Sequence, residues 1–227
     1  MKLEILFENE NFVAVDKEAM ILTTPSREGE DDDRPCLGRE LQKHLGVQIF
    51  PVHRLDFEVS GIVMFAKNPK AHSTANSWFE HKKVFKTYHA YTGNQTFAHI
   101  PESVENRRQF FTLDQGEEFV WKSRLLRGKR RTYEHKTGKP SETKANYLSI
   151  DAETGWHQWE LFPLTGRPHQ LRFELSSHGY PIVGDKLYGS DVEFNQPGIA
   201  LRAVEIDFSR APQASSLGLP ESLQVLV

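Results

Sequence analysis

Apolar and polar residues alternate with a period of two over several short stretches of this chain and recur with helical spacing over others. Leu3 to Phe7 and Phe12 to Val15 read as two short strands joined by the turn Glu8-Asn9-Glu10-Asn11. Leu37 to Leu45 has helical spacing and is ended by Gly46. The apolar run within Gly61 to Lys67 predicts a buried strand. Pro69 suits a first helical turn, and Ala71 to Lys82 continues it as a helix. Val84 to Thr92 reads as a strand stopped by Gly93-Asn94. From 94 to 121 the periodicity is lost in an aromatic, Gln- and Glu-rich stretch, and irregular structure is predicted there. Thr143 to Ile150 and Trp156 to Pro163 predict an antiparallel pair turned at Glu153-Thr154-Gly155. Pro168 to His178 predicts a helix capped by Arg167 and closed by Gly179, and Ile199 to Phe208 a late strand. Strands outnumber helices and do not alternate regularly with them. The expected class is α+β, a mixed, largely antiparallel central sheet flanked by helices and loops. With no internal repeat and no Pro/Gly/Ser linker, residues 1–227 read as a single domain.

Composition narrows the function. A chain of 227 residues with 38% hydrophobic and 26% charged residues is ordinary for a globular protein with a sizeable core. The single cysteine, Cys36, excludes an intrachain disulfide. The N-terminus carries acids too early for a secretory signal, and no apolar run nears the ~20 residues that span a bilayer. A cytoplasmic protein without a membrane partner is expected. The net charge of −3 speaks mildly against nucleic acid, but its distribution matters more. Glu28 to Asp33 holds five acids among six residues and reads as a solvated loop. Lys122 to Lys144 holds nine Lys or Arg against two acids, Glu134 and Glu142. That stretch is either a charged, solvated hairpin or a face that tracks phosphates.

Three segments could carry chemistry. The first is His53-Arg54-Leu55-Asp56-Phe57-Glu58-Val59-Ser60-Gly61, running into Ile62-Val63-Met64-Phe65. An acid at the mouth of a buried strand is placed for chemistry on a bound group, although alone it reads as a turn or cap residue. The second is Val84 to Gly93. Alternation puts Lys86, Tyr88 and Ala90 on one face of the strand and Tyr91 on the other. A strand tyrosine is packing by default; the functional alternative stacks on a base while its hydroxyl reaches an acid. The third runs from Leu164-Thr165-Gly166-Arg167-Pro168-His169-Gln170-Leu171-Arg172 to Gly189, with Leu171 and Leu175 sharing a core-facing side. Other chemistries lack their motifs: no phosphate-binding Gly loop, dinucleotide fingerprint, His-Glu-x-x-His or nucleophile elbow is present, and the ten histidines show no zinc spacing with Cys36.

In this order the three segments resemble the RluA-type RNA pseudouridine synthases, and the resemblance runs from about Leu3 to Phe208. It implies that Asp56 is the catalytic aspartate, Tyr88 the pocket tyrosine and Arg172 the ion-pair partner of Asp56. It also implies that Arg54 fills the gap left by a flipped nucleotide; His53, Leu171 and, from the charge of their stretch, Lys129, Arg130 and Arg131 are expected to contact RNA. The implied reaction isomerises a uridine within rRNA or tRNA, with no cofactor and no metal, in a chain expected to be a monomer. Whether Asp56 attacks the ribose, attacks the base or abstracts a ribose proton stays open. The chain departs from the family pattern at Val59, Pro168 and Arg202, where threonine, threonine or serine, and histidine are usual. With no S4-like domain expected ahead of the catalytic one, recognition would rest on 122–144, with a short stem-loop as target. The alternatives are a non-catalytic RNA binder of the same fold, and a glycosidase pairing Asp56 with Glu58.

Overall fold

The turn after the first apolar stretch is made by one side chain. Asn9 Oδ1 accepts from the backbone N–H of Asn11 and of Phe12, both at 2.8 Å, and reverses the chain between β1 (Glu4–Glu8) and β2 (Phe12–Lys17). The structure is a computed structural model, and it describes residues 2–26, 31–100 and 110–225. These fall into two compact units: residues up to Lys86 together with those from Ala203 onward, and Thr87–Arg202.

In the first unit the strand order is β1, β2, β4 (Ser60–Ala66), β10 (Leu201–Asp207), with β3 (Phe50–Pro51) on β4 and β11 (Ser222–Gln224) on β10. β2 and β4 pair antiparallel from Phe12 opposite Ala66 to Lys17 opposite Gly61. Both are apolar runs buried on both faces. α1 (Leu37–Leu45) ends at Gly46, whose φ of 67° is the left-handed cap the sequence predicts. α2 (Pro69–Glu80) starts under the Asn68 side chain, which accepts from Ala71 N–H at 2.9 Å. It stops two residues before the expected Lys82, because Lys82 itself is left-handed at φ 54°. Trp78 of α2 packs with Phe12 and Phe208, and its indole N–H donates to Pro212 O at 2.8 Å.

In the second unit the order is β5 (Phe85–Thr92), β9 (His157–Pro163), β8 (Lys139–Ile150), β6 (Glu118–Arg127), β7 (Thr132–Glu134). The β5–β9, β9–β8, β8–β6 and β6–β7 pairs are all antiparallel. The predicted turn at Glu153-Thr154-Gly155 is held by Asp151, whose Oδ1 accepts from Thr154 N–H at 2.8 Å and Thr154 Oγ1 at 2.7 Å. Trp121, Tyr147, Trp159 and Tyr180 form the aromatic core, with the Trp159 indole donating to Thr92 Oγ1 at 3.0 Å. The α+β class and the antiparallel bias are as the sequence predicts.

Four further expectations change. β6 begins inside the stretch expected to be irregular: Phe119, Trp121 and Leu125 face inward while Val120, Lys122 and Arg124 face out. Part of that stretch, 101–109, lies outside the described residues. β8 starts four residues before Thr143, because Lys139 pairs with Leu125 of β6. The acidic loop is not uniformly solvated. Residues 28–30 lie outside the described ones, but Asp32 is buried and accepts from Arg34 Nε at 2.8 Å and Nη2 at 2.7 Å. Those hydrogen bonds hold its carboxyl well below the usual carboxylate range. Finally, α3 (Gln170–Ser177) begins at Gln170 and not at Pro168, because His169 is left-handed at φ 51° and cannot be a helical residue.

Candidate active site

Asp56 sits where the chain leaves β3 and turns into β4, in the first unit. Its backbone is fixed by its neighbours. Thr23 Oγ1 donates to Leu55 O at 3.0 Å and accepts from Leu55 N–H at 3.1 Å. Met20 N–H donates to Phe57 O at 2.8 Å, and Val59 N–H closes a turn on Asp56 O at 3.2 Å. Gly61 then opens β4 at φ 113°, where a Cβ would fall 2.1 Å from Ala203 O, so glycine is required for β4 to lie against β10. Val59 is buried, and Arg54 points to solvent.

Charge around this segment is unusual. Lys17 is 1% exposed and donates from Nζ to Glu18 O at 3.0 Å and Ile21 O at 2.9 Å. Burial lowers its pKa to about 8, against the opposing pull of the Asp56 and Glu58 carboxylates. Lys17 is therefore a buried cation within electrostatic reach of Asp56. The His53 ring stacks on Phe79 at 5.4 Å between centroids, and its Nε2 accepts from Met64 N–H at 3.2 Å. That acceptor role assigns the proton to Nδ1. Burial, with the Lys86 charge added, holds His53 neutral, its pKa down to about 3. Lys86 lies over the same Phe79 ring at 5.8 Å, and burial lowers it to about 8.

Tyr88 and Arg172 belong to the second unit. Tyr88 is buried on β5 opposite Leu161, in the alternation expected of it. Arg172 is 1% exposed on α3 and is held by a two-pronged ion pair, Nε to Asp185 Oδ2 at 2.7 Å and Nη2 to Asp185 Oδ1 at 2.8 Å. Its guanidinium carbon stands 5.2 Å over the Tyr188 ring. Leu171 and Leu175 are both buried, as their spacing requires.

The start of α3 is tied to the basic stretch. Tyr188 Oη accepts from Thr132 N–H at 2.7 Å and lies 3.2 Å from His169 Nδ1. Arg127 Nη1 reaches His169 Nε2 at 3.0 Å. Arginine can only donate, so Nε2 is the acceptor and Nδ1 carries the proton toward Tyr188. Thr132 Oγ1 donates to Pro168 O at 2.7 Å. Burial pushes the Tyr188 hydroxyl up to about 12, so it stays protonated. The β6–β7 hairpin is thus fastened to the element that carries Arg172, and Lys129, Arg130 and Arg131 stand exposed at its tip.

Sequence reasoning passed over several of these residues. Lys17 ends an apolar strand one register step past Val15, where a lysine reads as solvated. Thr23 carries no signal at all. Asp185 and Tyr188 lie between Gly184 and Gly189 at the end of the third segment, where no spacing marks them. Gln170 satisfies four groups at once: Oε1 accepts from Thr165 Oγ1 at 2.8 Å and Arg167 N–H at 3.0 Å, and Nε2 donates to Glu142 O at 3.0 Å and Thr143 Oγ1 at 2.9 Å.

The family model described as RNA pseudouridylate synthase matches residues 11–177. The chain belongs to the RluA-type RNA pseudouridine synthase family. It is 30% identical over 209 residues to the dual-specificity RNA pseudouridine synthase RluA of Vibrio vulnificus, covering 90% of this chain and 77% of that one. It is 30% identical over 217 residues to tRNA pseudouridine synthase C of the same species, covering 91% and 84%. The structure is similar to that of human RNA pseudouridylate synthase domain containing 1, with a TM-score of 0.70 at 22% identity over 100% of this chain and 83% of that one. This likeness concerns the fold. The chain is an RNA pseudouridine synthase, an isomerase whose substrate is RNA. No helix among the described residues is long and apolar enough to cross a membrane.

Proposed function

We propose that this pseudouridine synthase isomerises a uridine in a short stem-loop of rRNA or tRNA, with Asp56 as the catalytic residue. The observation that supports it best is the basic hairpin: exposed Lys129, Arg130 and Arg131 sit on a β6–β7 turn fastened by Thr132, Tyr188 and His169 to the helix of Arg172. A rigid cationic arm can fix the register of an RNA backbone through phosphates. The names of the two Vibrio relatives, one a tRNA enzyme and one a dual-specificity RNA enzyme, are in line with a structured RNA target.

The target base must leave its stack to react. Arg54, exposed beside Asp56, takes the vacated place. The N1–C1′ bond breaks, the base turns, and a C5–C1′ bond forms; C5 loses its proton to water and N1 gains one. Asp56 must stay ionised, and a buried cation near it favours the charged form. Lys17 is placed to contribute that charge.

The test is tritium release from RNA labelled at uridine C5, using rRNA and tRNA from cells lacking this protein. The native chain should release tritium and Asp56→Asn should not, while RNA binding stays within about tenfold because phosphate contacts persist. Equal loss of binding would make Asp56 a structural residue. Release only from an assembled ribosomal particle would overturn the stem-loop target.

A further inference from the structure

We propose that Tyr133 is a stacking platform for one unpaired nucleobase of the RNA, other than the target uridine. The inference rests on the reading of the basic hairpin as the RNA-docking arm, and it adds a second kind of contact to it. β7 is the end strand of its sheet, and Tyr133 lies opposite Leu126 of β6. Its neighbour Thr132 is 2% exposed and locked to Tyr188 and Pro168. Strand alternation turns Tyr133 the other way, and it is 42% exposed.

An exposed tyrosine alone is unremarkable on a protein surface. Three features set this one apart. First, the ring rests on the hairpin turn. A Cβ added to Gly128 would come within 2.9 Å of Arg131 O and 3.1 Å of Tyr133 Cε1, so the glycine lets both the turn backbone and the ring close on it. A ring backed by a glycine is held in place before any ligand arrives, which lowers the ordering cost of stacking. Second, the neighbours are cations. Lys129, Arg130 and Arg131 are exposed on the turn, and Arg124 Nε donates to Lys136 O at 3.0 Å, placing two more basic residues beside the hairpin. Glu134 is the one acid on β7. Third, the edge of the ring meets a second aromatic, His135, at 6.2 Å and 72°. An aromatic plane amid phosphate-binding cations is the chemistry that recognises an unpaired nucleotide: the plane takes the base and the cations take the backbone. A duplex hides the faces of its bases, so the occupant must come from a loop, bulge or end.

The test uses the full chain, a synthetic RNA hairpin with a single-stranded loop, and a fully paired RNA duplex of the same length. Tyr133→Ala should lose roughly tenfold in affinity for the hairpin and none for the duplex, with the salt dependence unchanged. Tyr133→Phe should retain the hairpin affinity, because the plane and not the hydroxyl does the stacking. Unchanged hairpin affinity for Tyr133→Ala, or equal loss on hairpin and duplex, overturns the platform. A parallel variant, Lys129, Arg130 and Arg131 to Gln, separates the two readings. If it lowers the salt dependence while Tyr133→Ala changes nothing, the platform falls and the docking arm stands. If it leaves the salt dependence unchanged while Tyr133→Ala still weakens hairpin binding alone, the platform stands and the phosphate contacts lie on other cations.

Discussion

His53 shows how a residue in a chemically suggestive motif can be fixed by packing. Its ring is neutral because it is buried against Phe79 beside the Lys86 charge, and its proton sits on Nδ1 because Nε2 accepts from Met64 N–H. The sign of the pH effect follows. The native pKa of about 3 lies below the free value of 6.5, so between those values the unfolded chain takes up a proton the native chain refuses. Stability contributed by the neutral ring is present above pH 6.5 and is lost as pH falls toward 3. Unfolding by denaturant between pH 7 and pH 4 should show it. His53→Gln should fall less steeply than the native chain, by as much as ~1.4 kcal/mol per pH unit for one proton. Identical slopes would mean that His53 titrates freely in the folded protein. At this scale the sequence is a partial guide. Asp56, Tyr88 and Arg172 stand out through resemblance, but the Asp185 partner of Arg172 and the Lys17 charge near Asp56 come from chain segments with no spacing rule linking them.

The elements were legible where one periodicity ran unbroken. β2, β4, α1 and α2 are each a single apolar pattern with a polar or glycine stop, and their observed ends differ from the expected ones by a few residues. β6 was missed because its outward face mixes Glu118, Val120, Lys122 and Arg124, so the inward Phe119, Trp121 and Leu125 do not read as one stripe. The start of α3 was misplaced because Pro168 is a good first helical residue, and the left-handed His169 after it is enforced by long-range bonds to Arg127 and Tyr188. Two glycines with the same helix-and-strand punctuation role are physically unequal. Gly46 has φ 67° and nothing within 4 Å of an added Cβ, so Gly46→Ala should cost about 1 kcal/mol of backbone strain. Gly61 has φ 113° and backbone atoms of Ala203 at 2.1 and 2.5 Å, which cannot give way as a flexible side chain would. Gly61→Ala should therefore cost at least ~3 kcal/mol and disturb the Asp56 turn that precedes it. Thermal unfolding and tritium release of both variants check this. Equal melting temperatures would show that β4 can move away from β10 at little cost.

At the scale of the whole chain, charge is the quantity that misleads when summed. A net charge of −3 and a pI near 6.4 describe a protein with no general attraction for polyanions. RNA affinity must then come from a local concentration of cations. The stretch 122–144, which carries the β6–β7 arm and the start of β8, gathers nine basic residues against two acids. If Lys129, Arg130 and Arg131 each neutralise one phosphate, each releases about one counterion, and the slope of log affinity against log salt carries ~0.7–0.9 per contact. Replacing all three with glutamine should reduce that slope by roughly 2 to 3 and weaken binding most at low salt. The fold should be untouched, because all three side chains are exposed, while the hairpin's anchors at Thr132, Tyr188 and His169 are not altered. Turnover at saturating RNA should change far less than affinity, since these cations position the backbone and do not touch the reacting base. A slope that stays constant in the triple variant would place the phosphate contacts elsewhere, with the exposed Lys122, Arg124 and Lys144 of β6 and β8 next in line.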